Sequence, residues 1–323
     1  MAPAKVRLHL PSHMVGDDPE KVPGFFRRLL AGLAGLGAAT EILPRVYDDI
    51  AEPSAEGHFD FIHMGRKPRS MALNLGVAYL GGFFYLDPQG VNFESSITGK
   101  PFYPGRVPAD QALAFFDHLH RQWVTARKSR HPQPDEQRDF GKGHLAIFLQ
   151  DWSDPVERAQ FMTSDQMVRV VVEGAAGRPV VVKPHPRYKG RETRKVLQFL
   201  RRHHPQVIVT DANVHDILHG AAATVSISSS LALEGMLHQV PAILFGRSDL
   251  HHCAATVARP EDWPAALDRA LTTDWPYERF LLWFLRWQNV DASRPFLPKV
   301  LERMQAQGAD LAALGITPPQ PLT

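Results

Sequence analysis

Short runs of β-branched and aliphatic residues recur along the chain, and most are followed by segments whose apolar residues fall three or four apart. Runs of the first kind read as strands and segments of the second as amphipathic helices. Lys5 to Pro11 alternates, with Val6, Leu8 and Leu10 on one face, and the loop Ser12 to Asp18 follows. Pro19 then opens a helix carrying Phe25, Phe26, Leu29, Leu30 and Leu33. Ala39 to Val46 and Phe59 to Met64 read as further strands. Asn74 to Ser96 is less regular, with glycine pairs and an Asp87-Pro88-Gln89-Gly90 turn. The polar segment Val91 to Ile97 has no helical stripe and reads equally as a loop or a surface hairpin. Pro108 to Arg127 is an amphipathic helix, and Lys128 to Gly143 is charged, proline-containing and poor in apolar residues.

The second half alternates more cleanly. Strands are predicted at Leu145 to Leu149, Pro179 to Lys183, Val207 to Thr210, Thr224 to Ile227 and Ala242 to Phe245. Helices are predicted at Asp165 to Ala176, Glu192 to His203, Val214 to His219, Leu231 to His238 and Trp263 to Leu271. Buried β-branched strands with helical crossovers between them specify a doubly wound, parallel α/β sheet. From Tyr277 to Leu311 the chain is helical and aromatic, and this tail is expected to pack back across the domains. The expected division is 1–140, 141–272 and 273–323, with the first boundary in the charged stretch.

Composition narrows the function only a little. The 323 residues carry a formal net charge of +2, so no nucleic-acid partner is implied. Cys253 is the single cysteine, which removes any intramolecular disulfide framework and fits a reducing, cytoplasmic compartment. No segment reaches the roughly 18 consecutive apolar residues of a spanning helix, and no secretory leader precedes the first strand. The protein is therefore expected to be soluble and cytoplasmic, or at most peripheral to the inner face of the cytoplasmic membrane.

The chemistry concentrates between Arg178 and Gly246. One strand opens into Lys183-Pro184-His185-Pro186-Arg187, where flanking prolines stiffen the loop that carries the imidazole. Such a histidine can donate to a phosphate oxygen or protonate a leaving group, and Lys183 and Arg187 add charge for an anion. A later strand opens into Ser228-Ser229-Ser230 and a helix, an arrangement whose amides and hydroxyls suit a phosphate. Glu234, one turn into that helix, could reach ribose hydroxyls or lie on a solvated face. The two loops are expected on adjacent strands, opening on one pocket. No Walker loop or G-x-G-x-x-G follows a strand, which disfavours an ATPase or a nicotinamide enzyme. His203-His204, His215 with His219, and His251-His252 beside Cys253 lack a third ligand, so no metal is expected.

Val180 to Arg187, followed by Val225 to Gly246, resembles the capsule polysaccharide biosynthesis family that includes bacterial β-Kdo transferases. It is similar, more distantly, to bacterial sialyltransferases with a His-Pro motif and a Ser motif. The resemblance implies a GT-B fold: two Rossmann-type domains, with C-terminal helices bridging them. It implies a glycosyltransferase using a CMP-sugar donor, with no cofactor besides that substrate. His185 and Pro186 would contact and assist the departing phosphate, Ser228, Ser229 and Ser230 would hold it, and Glu234 would face the ribose. Gln150 and Asp154 match the family's Gln and Asp spacing, with Asp154 or Asp151 as the reaction-centre carboxylate. The family's acidic-glycine acceptor motif has no clear counterpart; Asp87, Glu94, Ser95 and Ser96 occupy a comparable region. The expected function is transfer of Kdo or a related ulosonic acid to a glycan or glycolipid acceptor. A UDP-sugar transferase or epimerase, and a non-catalytic nucleotide-binding component of a polysaccharide export complex, are the two rivals.

Overall fold

The computed structural model describes residues 4–15, 22–45, 57–150, 158–186 and 190–318. Arg187, Asp151 and Asp154 lie outside the described residues. The chain forms two compact units. Met1–Lys100 and Phe284–Thr323 make unit 1, and Pro101–Trp283 makes unit 2.

Unit 1 begins with β1 (Lys5–Leu10), α1 (Gly24–Gly35), β2 (Ala39–Pro44), β3 (Phe59–His63), β4 (Ala72–Val77) and β5 (Phe83–Asp87). The chain then builds unit 2 from α2 (Ala109–His120), β6 (Leu145–Phe148), α3 (Ser164–Glu173), β7 (Val180–Lys183), α4 (Arg191–His203) and β8 (Ile208–Val209). It continues through α5 (Val214–Leu218), β9 (Ala223–Ser226), α6 (Leu231–Leu237), β10 (Ala242–Leu244), β11 (Ala255–Thr256), α7 (Trp263–Thr272) and α8 (Tyr277–Leu281). Unit 1 is completed by β12 (Val290–Asp291) and α9 (Leu297–Ala306).

The unit 1 sheet runs β12-β5-β4-β3-β1-β2. β2, β1, β3 and β4 are parallel, and β5 and β12 add an antiparallel edge. The alternation in β1 sends Val6, Leu8 and Leu10 into a core with Phe26, Leu29 and Leu33 of α1 and Val300, Leu301 and Met304 of α9. Each such side chain, removed from water, stabilises the unit by about 1.5–3 kcal/mol. The stretch that looked irregular is the β4–β5 hairpin. Leu73, Leu75 and Val77 alternate toward the core, and the turn uses left-handed backbone at Tyr79 (φ 64°) and Gly82 (φ 93°). The Gly81-Gly82 pair read as turn chemistry falls in this turn, and Tyr79 adds a left-handed position that glycine and proline do not signal.

The unit 2 sheet is parallel throughout, in the order β11-β10-β9-β6-β7-β8. Alternate residues of β6 feed two cores: Leu145 and Ile147 join α3, α4 and α7 on one face, while Ala146 and Phe148 join α5 on the other. Helices on both faces make this a doubly wound sheet. α3 starts at a reciprocal capping box, with Gln166 N–H donating to Thr163 Oγ1 (3.3 Å) and Thr163 N–H to Gln166 Oε1 (2.9 Å). It stops at Gly174, whose carbonyl accepts from Trp263 Nε1 (2.8 Å); a Cβ there would lie 2.5 Å from the indole.

The unit boundaries differ from the sequence expectation. α2 was assigned to the first domain, yet it packs on α8 within unit 2. Phe102 meets Phe280 and Trp283 at 5.5 and 5.2 Å, and Arg279 donates to the Pro104 carbonyl (3.0 Å). The charged stretch 128–143 is not a linker between the units; polar contacts anchor it to α5 and α6. The tail, expected to begin at 273, stays in unit 2 through Trp283 and then passes into unit 1. There the Lys299 ammonium donates to the carbonyls of Arg286, Trp287 and Asn289 at 2.7, 3.0 and 2.6 Å, closing the π-helical turn Leu282–Gln288. Among the described residues no helix is long and apolar enough to cross a membrane.

Candidate active site

In unit 2 the chain runs outward from β6 to β7 and β8, then returns to place β9 on the other side of β6. This reversal is a topological switch point, where loops at the carboxyl ends of the strands part and leave a crevice. β7 and β9 are not adjacent, as the sequence reading had them; they flank β6. Because all three strands are parallel, the His185 loop, the Gln150 segment and the serine loop still emerge along one edge of the sheet.

Gln150 spans the switch point. Its Oε1 accepts the Ser228 N–H at 2.7 Å, tying the exit of β6 to the exit of β9. The serine loop is otherwise internally braced, with Ser229 N–H on Ser226 Oγ (3.3 Å) and Leu231 N–H on Ser229 Oγ (3.2 Å). The Ser228, Ser229 and Leu231 amides are thus engaged within the protein. The half-buried Ser228 and Ser230 hydroxyls have no partner among the described residues, and Ser230 makes no side-chain cap on α6.

On the other side of β6, the Lys183 side chain is committed to backbone carbonyls. Its buried ammonium donates to the carbonyls of Asp211 (2.7 Å) and Ala212 (2.6 Å), and burial lowers its pKa. Lys183 therefore fixes the loop after β8. Pro184 and His185 are half-buried and Pro186 is exposed. The His185 ring stands edge-on to His131, with centroids 5.2 Å apart and an interplanar angle of 86°.

His131 belongs to the anchored segment. Arg127 grips Asp216 through two contacts of 2.6 and 3.1 Å, and Arg138 N–H donates to the same carboxylate (3.0 Å). Together these donors pull the Asp216 pKa down against its burial. Gln133 Oε1 accepts from Val214 N–H, and Asn213 donates to the Pro134 carbonyl. The Lys128 carbonyl accepts from His215 Nε2, which fixes that tautomer and leaves Nδ1 to accept from His238 Nε2–H at 2.9 Å. Burial holds both imidazoles neutral, His238 down to about 3.

Glu234 lies beneath this strap. It is 1% exposed, and Ser129 Oγ donates to Oε1 at 2.9 Å while Oε2 has no partner. Burial pushes its pKa up to about 8, so it is a protonated acid near neutrality. It presents no carboxylate on an open surface in this arrangement, contrary to both sequence readings of its position.

The strap, the β7 loop, α4 and the exit of β8 enclose a groove of ≈ 890 Å³. Its walls include Pro132, Gln133, Pro134 and Arg138, then Lys183 to Pro186, then Thr193, Arg194 and Leu197, then Val209 to Asp211. The sequence reading missed the strap side of this groove. The His131-Pro132 pair, which repeats the His185-Pro186 dipeptide, is the signal that could have found it.

The four acceptor-side candidates gather in unit 1, in a compact turn. Asp87 is buried, with Oδ1 accepting from the N–H groups of Gln89 (2.8 Å), Gly90 (3.2 Å) and Ser96 (2.9 Å), and Oδ2 from Ser96 Oγ (2.6 Å). This saturated carboxylate organises the loop. Ser95 is buried and Glu94 half-buried, and 92–99 forms two 3-10 turns, which decides for a loop over a hairpin. Among the described residues, no three His, Cys, Asp or Glu side chains converge as a metal site. Cys253 is buried, and burial raises its thiol pKa, leaving it protonated.

No family model matches the sequence, and no curated protein matches it. Solved structures do. The chain is similar to the β-Kdo 2,7 transferase of KpsC from Thermosulfurimonas dismutans, at 12% identity and a TM-score of 0.55, covering 94% of this chain and 99% of that one. It is also similar to the β-Kdo 2,4 transferase of the same KpsC, at 15% identity and a TM-score of 0.50, covering 85% and 89%. The fold is that of the β-Kdo transferases. Within this GT-B-type Kdo-transferase fold, the His-Pro loop, Gln150 and the serine loop all sit at the carboxyl edge of the unit 2 sheet.

Proposed function

We propose that the protein is a glycosyltransferase that moves Kdo or a related ulosonic acid from a CMP-sugar to a glycan or glycolipid acceptor in surface polysaccharide synthesis. One observation carries this reading: Gln150 bridges to Ser228 across the switch point, between the His185 loop and the serine loop. The fold shared with β-Kdo transferases supports it. The donor phosphate would lie at this edge, with the Ser228 and Ser230 hydroxyls donating to its oxygens. His185 would donate to the departing phosphate, and Arg187 would add a planar cation for the developing charge. Asp154 or Asp151 would serve as the reaction-centre carboxylate, nucleophilic in a double displacement that retains configuration. Gln150 acts by positioning the serine loop, and Lys183 by fixing the wall of the groove. The acceptor would be presented by unit 1, and peripheral contact with the inner face of the membrane would bring a glycolipid acceptor within reach.

Calorimetric titration of CMP against UDP tests the donor class. CMP is expected to bind more tightly, and tighter UDP binding would overturn the assignment. His185→Ala is expected to abolish transfer from a CMP-sugar while the far-UV circular dichroism stays unchanged. Unaltered turnover in a folded H185A protein would place the chemistry elsewhere.

A further inference from the structure

Flanking prolines fix the backbone around His185 but not its side chain. Pro184 and Pro186 set φ at the neighbouring residues, whereas the outer torsion of a histidine side chain is broad and roughly two-fold. A half-buried imidazole on a loop therefore takes its plane from the groups packed against it. One such group is His131, edge-on at 86° with the ring centroids 5.2 Å apart. His131 is itself held in place. Pro132 restricts it to extended backbone. Gln133 uses both ends of its side chain: Nε2 donates to the His131 carbonyl (2.9 Å), and Oε1 accepts the Val214 N–H (3.1 Å) at the start of α5. Asn213 donates to the Pro134 carbonyl (3.0 Å), and the Asp216 carboxylate holds both Arg127 and the Arg138 amide. A set of hydrogen bonds thus runs from α5 to the His131 backbone, and the ring contact extends it to His185.

We propose that His131 is a positioning residue: it sets the plane of the His185 imidazole, and with it the direction in which His185 presents its N–H. The consequence for catalysis rests on the transferase reading; the ring contact does not. Direction matters because a displacement of about 1 Å in a reacting group can cost on the order of a hundredfold in rate. Edge-to-face is an arrangement that flat rings favour. A phenyl ring at position 131 preserves it, and a methyl group does not. The competing role for His131 is that of a second proton donor to the same leaving group. Phenylalanine separates the two roles, since it keeps a ring against His185 and has no proton to give.

The test compares His131→Ala with His131→Phe. In the resting protein, carbon-13 relaxation of labelled histidine rings reports the order of the His185 ring, whose signal is assigned by its loss in His185→Ala. The ring is expected to be ordered in the parent and in H131F, and mobile in H131A. With CMP-Kdo as the probe and released CMP as the readout, H131A should lose about tenfold or more in kcat while KM stays within about twofold. H131F should recover kcat to within about threefold of the parent. A His185 ring as ordered in H131A as in the parent would overturn the proposal. So would a loss of kcat in H131F equal to that in H131A, which would make the His131 imidazole itself the acting group. If the parent releases no CMP from CMP-Kdo, the transferase reading falls, and relaxation still decides whether His131 sets the His185 ring. If the parent is active and H131A matches it, only the role of His131 falls.

Discussion

Glu234→Gln should remove a pH-dependent weakness from unit 2. Glu234 is buried under Ser129, and its pKa rises from 4.5 to about 8 in the folded chain. Between those values the unfolded chain releases this proton while the folded chain keeps it, so stability is full below pH 4.5 and is lost as pH approaches 8. At about 1.36 kcal/mol per pH unit, the loss from pH 5 to pH 8 is about 3 to 4 kcal/mol. Glutamine keeps the oxygen that accepts from Ser129 and cannot ionise. Its stability should therefore match the parent within about 1 kcal/mol at pH 5 and exceed it by about 3 to 4 kcal/mol at pH 8. His215 and His238 act in the opposite sense. Their pKa values are depressed on folding, so their contribution is present above about pH 6.5 and lost as pH falls. That slope is common to parent and variant and cancels in the difference. Urea unfolding followed by tryptophan fluorescence reads it directly, because Trp123, Trp263, Trp275 and Trp283 all lie in unit 2. Parallel stability curves from pH 5 to pH 8 would refute a carboxyl held protonated by burial.

Three further outcomes follow from the same contacts. Gln150→Leu frees the Ser228 amide, and should cost about 0.5–1.5 kcal/mol in stability while weakening CMP binding in calorimetry. Lys183→Met removes two charge-assisted hydrogen bonds to the loop after β8 and should destabilise unit 2 by about 2 kcal/mol or more in urea. Arg127→Ala leaves Asp216 with only the Arg138 amide as a described partner. The strap should then loosen, seen as limited proteolysis within 128–138 at a rate well above the parent's.

The elements set by buried aliphatic runs were legible. Val180, Val181 and Val182, or Val225 with its neighbours, read as buried strands, and the helical segments between them supply the crossovers of a parallel sheet. The sheet in turn fixes which loops share an edge. What escaped was held by polar groups over long separations. Ser129 meets Glu234, and Gln133 meets Val214, so a stretch with the composition of a linker is a wall of the groove. The Gln150 spacing marked it as a reaction-centre residue, and the contact it makes is a bridge to Ser228, visible only once β6 lies between β7 and β9. Asp87 was an acceptor-side candidate through its place in a region comparable to the family's acceptor motif, whereas four local donors engage its carboxylate.

Unit 2 is a single uninterrupted segment, while unit 1 is made of two pieces separated by it. During synthesis the inner unit has all its residues before the outer one does. β5 must wait for its partner β12, and α1 for the α9 side chains that seal its core, until the whole of unit 2 has been made. Until then one flank of the first sheet is open to solvent and to other chains. A premature stop near Trp283 should spare unit 2 and leave an insoluble remnant of unit 1.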